Sequence, residues 1–342
     1  MYTDIKTILD DANQNNYAVL AASAFNMELA RGLIAAADEM QAPLIILMGQ
    51  AQMTKHARPE LMVPMIKTLA EQTNVPVALI LDHGRDWEKI TWAYRQGFDD
   101  VKACVDAGFT SIMVDASAYD MEENIARTKK AVELCHVQGL AVEGELGHVG
   151  QAATLDGCDV SLYTKPEEAV RFVQETGVDS LAIACGTAHG DYPKGFIPTI
   201  NFDVIKGVKQ AVNMPLALHG GSGSGDENIR KAVEAGINKV NIATEIFNAC
   251  RDYAKNRLDE KPDLDYMSLM MEVEQECKKT VKHFISLTGI MVYRMQSPRG
   301  YIWIMDQTNY LIYENREYLQ GVVTDLSELQ RIMDSTKSIK LP

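Results

Sequence analysis

The sequence Leu-His-Gly-Gly-Ser-Gly-Ser-Gly at residues 218–225 joins the end of an apolar run to a loop rich in glycine. The apolar run, 214–218, has the length of a buried strand, and a helical pattern begins at about residue 226. Glycines let backbone N–H groups approach a ligand closely, and the N-terminus of a following helix attracts anions. The loop therefore suits a phosphate group and His219 suits a metal ion, although an ordinary turn after a strand has a similar composition.

Two further histidines follow apolar runs in the same way. His83 lies in Ile-Leu-Asp-His-Gly at 80–84, and His189 lies in Gly-Thr-Ala-His-Gly at 186–190. Each pattern places the imidazole close to the C-terminal end of a strand. The three histidines are far apart along the chain, so a local zinc-finger-like site is excluded. Only a fold that gathers the ends of its strands brings them together.

The chain alternates between strand-like and helical patterns along most of its length. Predicted strands, each followed by a helical stretch, occupy 18–24, 44–48, 77–81, 110–114, 140–146, 180–184, 214–218 and 239–242. Eight such units within about 250 residues predict a (β/α)8 TIM barrel of the α/β class. An open doubly wound sheet is the alternative, but it requires a glycine-rich turn after the first strand, and 22–25 has none.

The segment 87–107 lies between the third and fourth predicted strands. It is long for one helix and contains Gly97, so the pattern predicts a helix, a break and a second helix.

Composition restricts the class of protein and its partners. The chain has 342 residues, of which 46% are hydrophobic and 23% charged, as in a folded protein with a large core. Its formal net charge of −14 argues against nucleic acid or an anionic membrane as a partner, since both are bound through excess Lys and Arg. No window approaches the about 18 apolar residues of a membrane span, and no signal-peptide pattern begins the chain. These two observations predict a cytoplasmic protein. None of the six cysteines has C-x-x-C spacing, so we expect reduced, mostly buried thiols.

Polar residues follow most of the predicted strands at the point where each strand ends. Besides the three histidines they are Asn26, Asp82, Asp115, Glu145, Asn241 and Thr244. Active sites of (β/α)8 barrels lie at the C-terminal ends of the strands, so these side chains are expected to meet on one rim. Three neutral imidazoles around one ion, with a fourth position open, are typical of a catalytic zinc site.

The carboxylates of this rim have two interpretations each. Asp82 adjoins His83 and is available for proton transfer, or else it orients the histidines from outside the ligand set. Asp115 and Glu145 suit a second cation, or they are exposed loop carboxylates. Glu143 shares a strand face with Glu145, because residues i and i+2 point the same way, but Glu145 is nearer the strand end and is favoured as the ligand.

Together these motifs resemble those of the class II, metal-dependent ketose-bisphosphate aldolases, the family that contains fructose- and tagatose-bisphosphate aldolases. The matching segments are AFN (24–26), LDHG (81–84), AGFTSIMVD (107–115), VEGELG (142–147), TGVD (176–179), GTAHG (186–190), LHGGSG (218–223) and NIATE (241–245). They occur in family order over about residues 1–289, and their combination is specific although each motif alone is not. The resemblance implies a zinc-dependent lyase of carbohydrate metabolism, such as glycolysis, on a barrel that spans 1–289. We expect it to form a homodimer or a homotetramer.

The resemblance also implies roles for individual residues. The metal ligands would be His83, His189 and His219 for Zn²⁺, and Asp115 and Glu145 for a second, divalent or monovalent, cation. Asp82 would carry the proton of the oxygen at the cleaved bond, and the amide of Asn26 would contact the substrate. The substrate phosphate would lie on Gly190, Gly220, Gly221, Ser222, Asn241, Ala243 and Thr244. The reaction would be reversible retro-aldol cleavage of a phosphorylated ketose to dihydroxyacetone phosphate and an aldehyde.

One loop departs from the family pattern and keeps other functions open. Family members carry a glutamate in a G-G-x-E-D loop after the E-x-E-L-G strand, whereas 149–156 has no glutamate and ends in Asp156. Asp156 is the candidate for the base that removes a proton from dihydroxyacetone phosphate, with Asp159 as the alternative. The other functions are a non-catalytic relative that binds sugar phosphates, and an aldolase for a modified ketose 1-phosphate.

Residues 290–342 lie beyond the family pattern and are predicted to form a C-terminal extension. Apolar and aromatic runs at 301–305 and 310–313, separated by polar residues, predict a β-hairpin. A short helix is predicted from about 324 to 333, with Thr324 as its N-cap.

Overall fold

The computed structural model describes residues 1–84, 90–92, 95–98, 100–288, 295–297, 300–305, 309–314 and 317–323. In chain order its strands are β1 (Val19–Ser23), β2 (Leu44–Gly49), β3 (Val77–Gly84), β4 (Ile90–Trp92), β5 (Arg95–Phe98), β6 (Ser111–Val114), β7 (Ala141–Leu146), β8 (Ser180–Ile183), β9 (Leu216–Leu218), β10 (Lys239–Ile242), β11 (Met295–Ser297), β12 (Gly300–Met305), β13 (Asn309–Glu314) and β14 (Glu317–Val323). Its α-helices are α1 (Ile5–Gln14), α2 (Met27–Glu39), α3 (Gln50–Lys55), α4 (Pro59–Glu71), α5 (Asp100–Ala107), α6 (Met121–His136), α7 (Pro166–Thr176), α8 (Phe202–Val212), α9 (Asp226–Ala235), α10 (Thr244–Glu260) and α11 (Tyr266–Leu287). Two short 3-10 helices, Asp156–Cys158 and Val160–Leu162, lie between β7 and α7.

Eight of these strands close into a barrel in the order β1-β10-β9-β8-β7-β6-β3-β2. Every neighbouring pair is parallel, and at least one helix connects each barrel strand to the next. Side chains such as Leu20 and Ile46 pack outward against these helices. Both faces of the strands are therefore buried, which explains why their sequences are continuous apolar runs. The prediction of a (β/α)8 barrel is confirmed.

The interior of the barrel is filled and is covered at its N-terminal end. Inward-facing side chains such as Ala21 and Ile45 belong to one buried cluster with Ile5 and Ile8 of α1. The apolar face of α1 thus packs against the bottom of the barrel, where it begins at the N-cap Asp4. The polar residues that follow the strands gather at the opposite rim.

The structure contradicts part of the prediction for 87–107. The first predicted helix is wrong, because β4 and β5 pair antiparallel there. Among the described residues of this segment, the second helix is present as α5. The run Ile90-Thr91-Trp92 consists of β-branched and aromatic residues, which favour strands over helices. The prediction of two helices relied on the length of the segment and on Gly97, and it did not use this strand preference.

The C-terminal strands form a separate antiparallel sheet in the order β11-β12-β13-β14. β12 and β13 pair antiparallel, with the backbones of Trp303 and Leu311 as register partners. The short helix predicted from 324 lies outside the described residues, and the division of the chain at 289/290 stays a prediction. No described helix is both long and apolar enough to cross a lipid bilayer.

Candidate metal centre

Three histidines meet at the C-terminal rim of the barrel. His83 lies near the end of β3, His189 in the loop after β8, and His219 directly after β9. One ring nitrogen of each lies within 4.8 Å of the others, and Nδ1 of His219 is 3.1 Å from Nε2 of His83. The rings are nearly perpendicular to one another, with interplanar angles of 84°, 85° and 89°. The structure therefore brings together the three residues that the sequence predicts as zinc ligands.

The backbone around His83 explains why two adjacent side chains face the site. Neighbouring residues of a straight strand point to opposite faces. His83, however, has a φ of +53°, in the left-handed region that few residues other than glycine adopt. Oδ1 of Asp82 consequently lies 4.0 Å from Nε2 of His83, and Nδ2 of Asn241 donates to this oxygen at 3.4 Å. The predicted proton-transfer group thus lies at the edge of the histidine cluster.

A second group of potential metal ligands, His83, Asp115 and Glu145, adjoins the first. Oδ2 of Asp115 is 2.9 Å from Nδ1 of His83, and Oε2 of Glu145 is 3.8 Å from the same nitrogen. Both carboxylates are buried, so the alternative that they are exposed loop residues is wrong. Burial, followed by the charge of Asp115, raises the pKa of Glu145 to about 8. Ser117 bridges the two acids, with its Oγ 2.7 Å from Asp115 and 2.9 Å from Glu145.

His83 belongs to both groups of potential ligands. Its Nε2 faces His219 in the histidine cluster, and its Nδ1 faces Asp115 in the second group. Burial by itself lowers the pKa of His83, but the charge of Asp82, the hydrogen bond to Asp115 and the charge of Glu145 together raise it to about 9. The acidic surroundings therefore favour a cation here. The donor set fits Zn²⁺, because three imidazoles surround one point and a carboxylate accepts from the outer nitrogen of one of them. Oε2 of Glu145 is buried and has no hydrogen-bond partner among the described residues, as expected of a group suited to a second ion.

Glu143 lies two residues before Glu145 and contacts the cluster from inside the barrel. Its Oε1 accepts from Nζ of Lys239 at 2.8 Å and lies 3.0 Å from Nε2 of His219, and its Oε2 accepts from Ser180 at 3.2 Å. Burial favours the neutral form of Glu143, but the charge of Lys239 and the hydrogen bond from His219 lower its pKa to about 2. The sequence interpretation gave Lys239 no role. The sequence signal for Lys239 was a single charged residue at the start of the buried strand β10.

The glycine loop packs closely against its neighbours. Gly220 has a φ of +64°, and a Cβ there would lie 2.5 Å from the carbonyl oxygen of Ala188. A Cβ on Gly221 would lie 2.8 Å from the carbonyl oxygen of Asn241. Gly190, by contrast, has no atom within 4 Å of such a Cβ among the described residues. Only glycine allows the loop backbone to come this near to the loop after β8 and to the end of β10.

The predicted phosphate-binding residues also meet the N-terminus of α10. Oγ of Ser222 accepts from the backbone N–H groups of Ala243 at 3.2 Å and Glu245 at 3.3 Å, on either side of Thr244. The N–H of Gly223 donates to Oε2 of Glu245 at 2.8 Å. These three bonds hold the glycine loop against the start of α10, and the N–H groups of Gly223, Ala243 and Glu245 are used in them. A phosphate at this position would therefore be held by other amides of the loop and by the positive N-terminal end of the helix.

Replacing Gly220 by alanine is expected to lower kcat/KM for a phosphorylated substrate by about 10²-fold, because small displacements in a positioned site have effects of this size. The added Cβ would push against Ala188, which immediately precedes His189. The measurement is steady-state kinetics together with thermal unfolding.

Gly195→Ala is the matched control, since Gly195 also has a positive φ, +81°, but a Cβ added there would have no atom within 4 Å in the described part of the chain. Both variants incur the same backbone cost of about 1–2 kcal/mol. An equal loss of kcat/KM in the two variants would show that close packing at Gly220 is irrelevant to the site.

Asn26 and the 149–159 loop are the two remaining parts of the predicted site, and their described contacts are structural. Asn26 is the N-cap of α2, and its Oδ1 accepts from the N–H of Leu29 at 3.0 Å, so this oxygen already has a structural role. The side chain of Asp156 lies outside the described residues. Oδ1 of Asp159 accepts from the N–H of Ser161, and this bond lowers the pKa of the exposed Asp159 carboxyl. Asp159 is therefore a weaker candidate for the base.

The beginning of this loop nevertheless lies beside the metal centre. The N–H of His189 donates to the carbonyl of Gly150 at 2.8 Å, and the N–H of Ala152 donates to the carbonyl of His189 at 2.8 Å. These two bonds attach the loop after β7 to the backbone of a predicted zinc ligand.

Comparisons with known proteins cover most of the chain. The family model described as class-II fructose-bisphosphate aldolase matches residues 3–291. The uncharacterized protein YdjI of Escherichia coli strain K12 is 38% identical over 290 residues, which are 84% of this chain and 98% of that protein. The X-ray crystal structure of the YdjI aldolase from Escherichia coli K12 has a TM-score of 0.72 at 36% identity, over 84% of this chain and 97% of that chain. A putative fructose-1,6-biphosphate aldolase from Coccidioides immitis has a TM-score of 0.69 at 28% identity, over 82% of this chain and 94% of that chain.

Proposed function

The chain belongs to the class-II fructose-bisphosphate aldolase family, and from this premise we propose that it is a zinc-dependent lyase. Its proposed reaction is the reversible retro-aldol cleavage of a phosphorylated ketose to dihydroxyacetone phosphate and an aldehyde. The main support is the approach of His83, His189 and His219 to within 4.8 Å of one another, beside the glycine loop. A Zn²⁺ ion, when bound, supplies a Lewis acid that polarises a substrate oxygen.

The residues of the chain bind and orient the substrate and move its protons. Asp82, at the edge of the histidine cluster, takes the proton from the hydroxyl at the bond that breaks. The amides of the glycine loop and of the α10 N-terminus hold the phosphate of the dihydroxyacetone half. Asn26 is proposed to contact the substrate through its amide. Asp156 is proposed as the base that removes a proton from dihydroxyacetone phosphate. The cytoplasmic location and the homodimeric or homotetrameric assembly stay predictions.

Removal of metal by a chelator is expected to lower cleavage by about 10³-fold, since Lewis-acid stabilisation is worth several kcal/mol, and added Zn²⁺ should restore it. The test is an assay of dihydroxyacetone phosphate release from a panel of ketose bisphosphates and ketose 1-phosphates. Metal-stripped, zinc-reloaded and magnesium-reloaded protein are compared.

The outcomes separate the remaining alternatives. Cleavage that persists unchanged in metal-stripped protein would contradict zinc dependence. Cleavage of ketose 1-phosphates alone would identify an aldolase for a modified ketose 1-phosphate. Zinc-loaded protein that cleaves nothing, but whose melting temperature rises with dihydroxyacetone phosphate, would indicate a non-catalytic sugar-phosphate-binding relative.

A further inference from the structure

One carboxylate inside the barrel contacts a predicted zinc ligand through the ring nitrogen that does not face His83. Glu143 of β7 and Lys239 of β10 are both 0% exposed, and their Oε1 and Nζ atoms are 2.8 Å apart. The same oxygen lies 3.0 Å from Nε2 of His219, whose side chain is also 0% exposed. The other oxygen accepts from Ser180, so both oxygens of Glu143 are hydrogen-bonded.

We propose that Glu143, paired with Lys239 at 2.8 Å, is the positioning residue that fixes the proton of His219 on Nε2 and so directs the lone pair of Nδ1 toward the other two histidines. The proposal rests on the proposed zinc-dependent function. Neither residue belongs to the predicted ligand set, and neither contacts the substrate in this role.

Glu143 makes the shortest contact with Nε2 of His219, at 3.0 Å, and its charge favours one tautomer, although Nδ2 of Asn241 also lies 3.2 Å from Nε2 and 3.4 Å from Nδ1. An ionised carboxylate only accepts hydrogen bonds, so the nitrogen that faces Glu143 must carry the proton. A neutral imidazole protonated on Nε2 has its lone pair on Nδ1. Nδ1 is the nitrogen that lies 3.1 Å from Nε2 of His83, inside the histidine cluster. Carboxylate partners of this kind fix the ring orientation of metal-binding histidines and increase their basicity.

Lys239 supplies the buried counter-charge of the Glu143 carboxylate. A lone buried carboxylate would be protonated, and a protonated Glu143 would be able to donate to Nε2 and stabilise the opposite tautomer. Removing only one member of the pair leaves the other charge buried and unpaired, which is strongly destabilising. A test therefore has to remove both charges together.

The first experiment is ¹⁵N NMR of the histidine side chains in metal-free wild-type protein, with His219 assigned by comparison with the His219→Gln variant. The expected spectrum shows a proton on Nε2 of His219 and none on Nδ1. A proton on Nδ1 overturns the proposal, and this result does not depend on the folding of any Glu143 variant.

The second experiment compares Glu143→Gln/Lys239→Met with Glu143→Leu/Lys239→Met. Both double variants lack the two buried charges, but only the glutamine keeps an oxygen that accepts from Nε2. We expect the leucine variant to bind Zn²⁺ about 10- to 100-fold more weakly than the glutamine variant in competition with a chromophoric chelator. Equal zinc affinity in two variants with cooperative thermal unfolding would overturn the proposal.

These measurements use no substrate and therefore separate this inference from the proposed function. If the wild type binds zinc with the expected tautomer but cleaves no ketose phosphate, only the proposed function fails. If the wild type cleaves its substrate in a zinc-dependent manner but the two double variants bind zinc equally well, only the role of Glu143 fails.

Discussion

His219→Ala protein is expected to cleave ketose phosphates with a kcat/KM reduced by about 10³-fold or more. The substitution removes one of the three imidazoles that lie within 4.8 Å of one another, and with it the Lewis-acid stabilisation of several kcal/mol that a catalytic zinc ion provides. Glu143 loses one hydrogen-bond donor but keeps Lys239, so the barrel is expected to stay folded with a stability loss of about 1–3 kcal/mol. The measurements are steady-state kinetics, zinc content and chemical denaturation.

His283→Ala is the matched control for this variant. His283 lies on α11 with an exposed side chain, and its Nε2 is 3.2 Å from the exposed carboxylate of Asp226, away from the rim. Its removal is expected to leave kcat/KM and zinc content within about twofold, as for most surface substitutions. Full activity of His219→Ala would show that the metal ion is bound elsewhere.

The barrel and its histidine cluster were accessible from the sequence because both follow from local patterns. Each of the three histidines follows an apolar run of strand length, and a closed parallel barrel necessarily gathers the C-terminal strand ends on one rim. Asp82 was identifiable for the same reason, since it precedes His83. The left-handed φ of His83 could not be predicted from the pattern. This backbone conformation lets the side chains of Asp82 and His83 both face the site.

The Glu143–Lys239 pair was not accessible in this way. Its partners lie on β7 and β10, which are not adjacent in the barrel, and no property of either strand by itself indicates that they meet inside it. The sequence favoured Glu145 over Glu143 because it is nearer the strand end, whereas the structure gives both carboxylates contacts with the histidine cluster. Asn26 shows a different difficulty: an asparagine after a strand suits both a substrate contact and a helix N-cap, and the structure shows the second.

Asp82→Asn protein is expected to lose kcat by about 10²- to 10⁴-fold while it retains zinc, because proton transfer by a positioned side chain contributes rate enhancements of this size. The asparagine keeps the shape of the side chain and an oxygen that accepts from Nδ2 of Asn241, but it cannot accept the substrate proton. Asp82 lies 4.0 Å from Nε2 of His83 and is not one of the three clustered imidazoles, so the affinity for Zn²⁺ should change little. Kinetics and a zinc competition titration measure the two quantities separately.

Asp259→Asn on α10 makes the same chemical change on the exposed surface and should leave kcat unaltered. Two results would decide against proton transfer by Asp82. An unchanged kcat in Asp82→Asn would remove the residue from the mechanism altogether. A loss of kcat that is matched by an equal loss of zinc, and is reversed at high zinc concentration, would instead support the alternative that Asp82 orients the histidines from outside the ligand set.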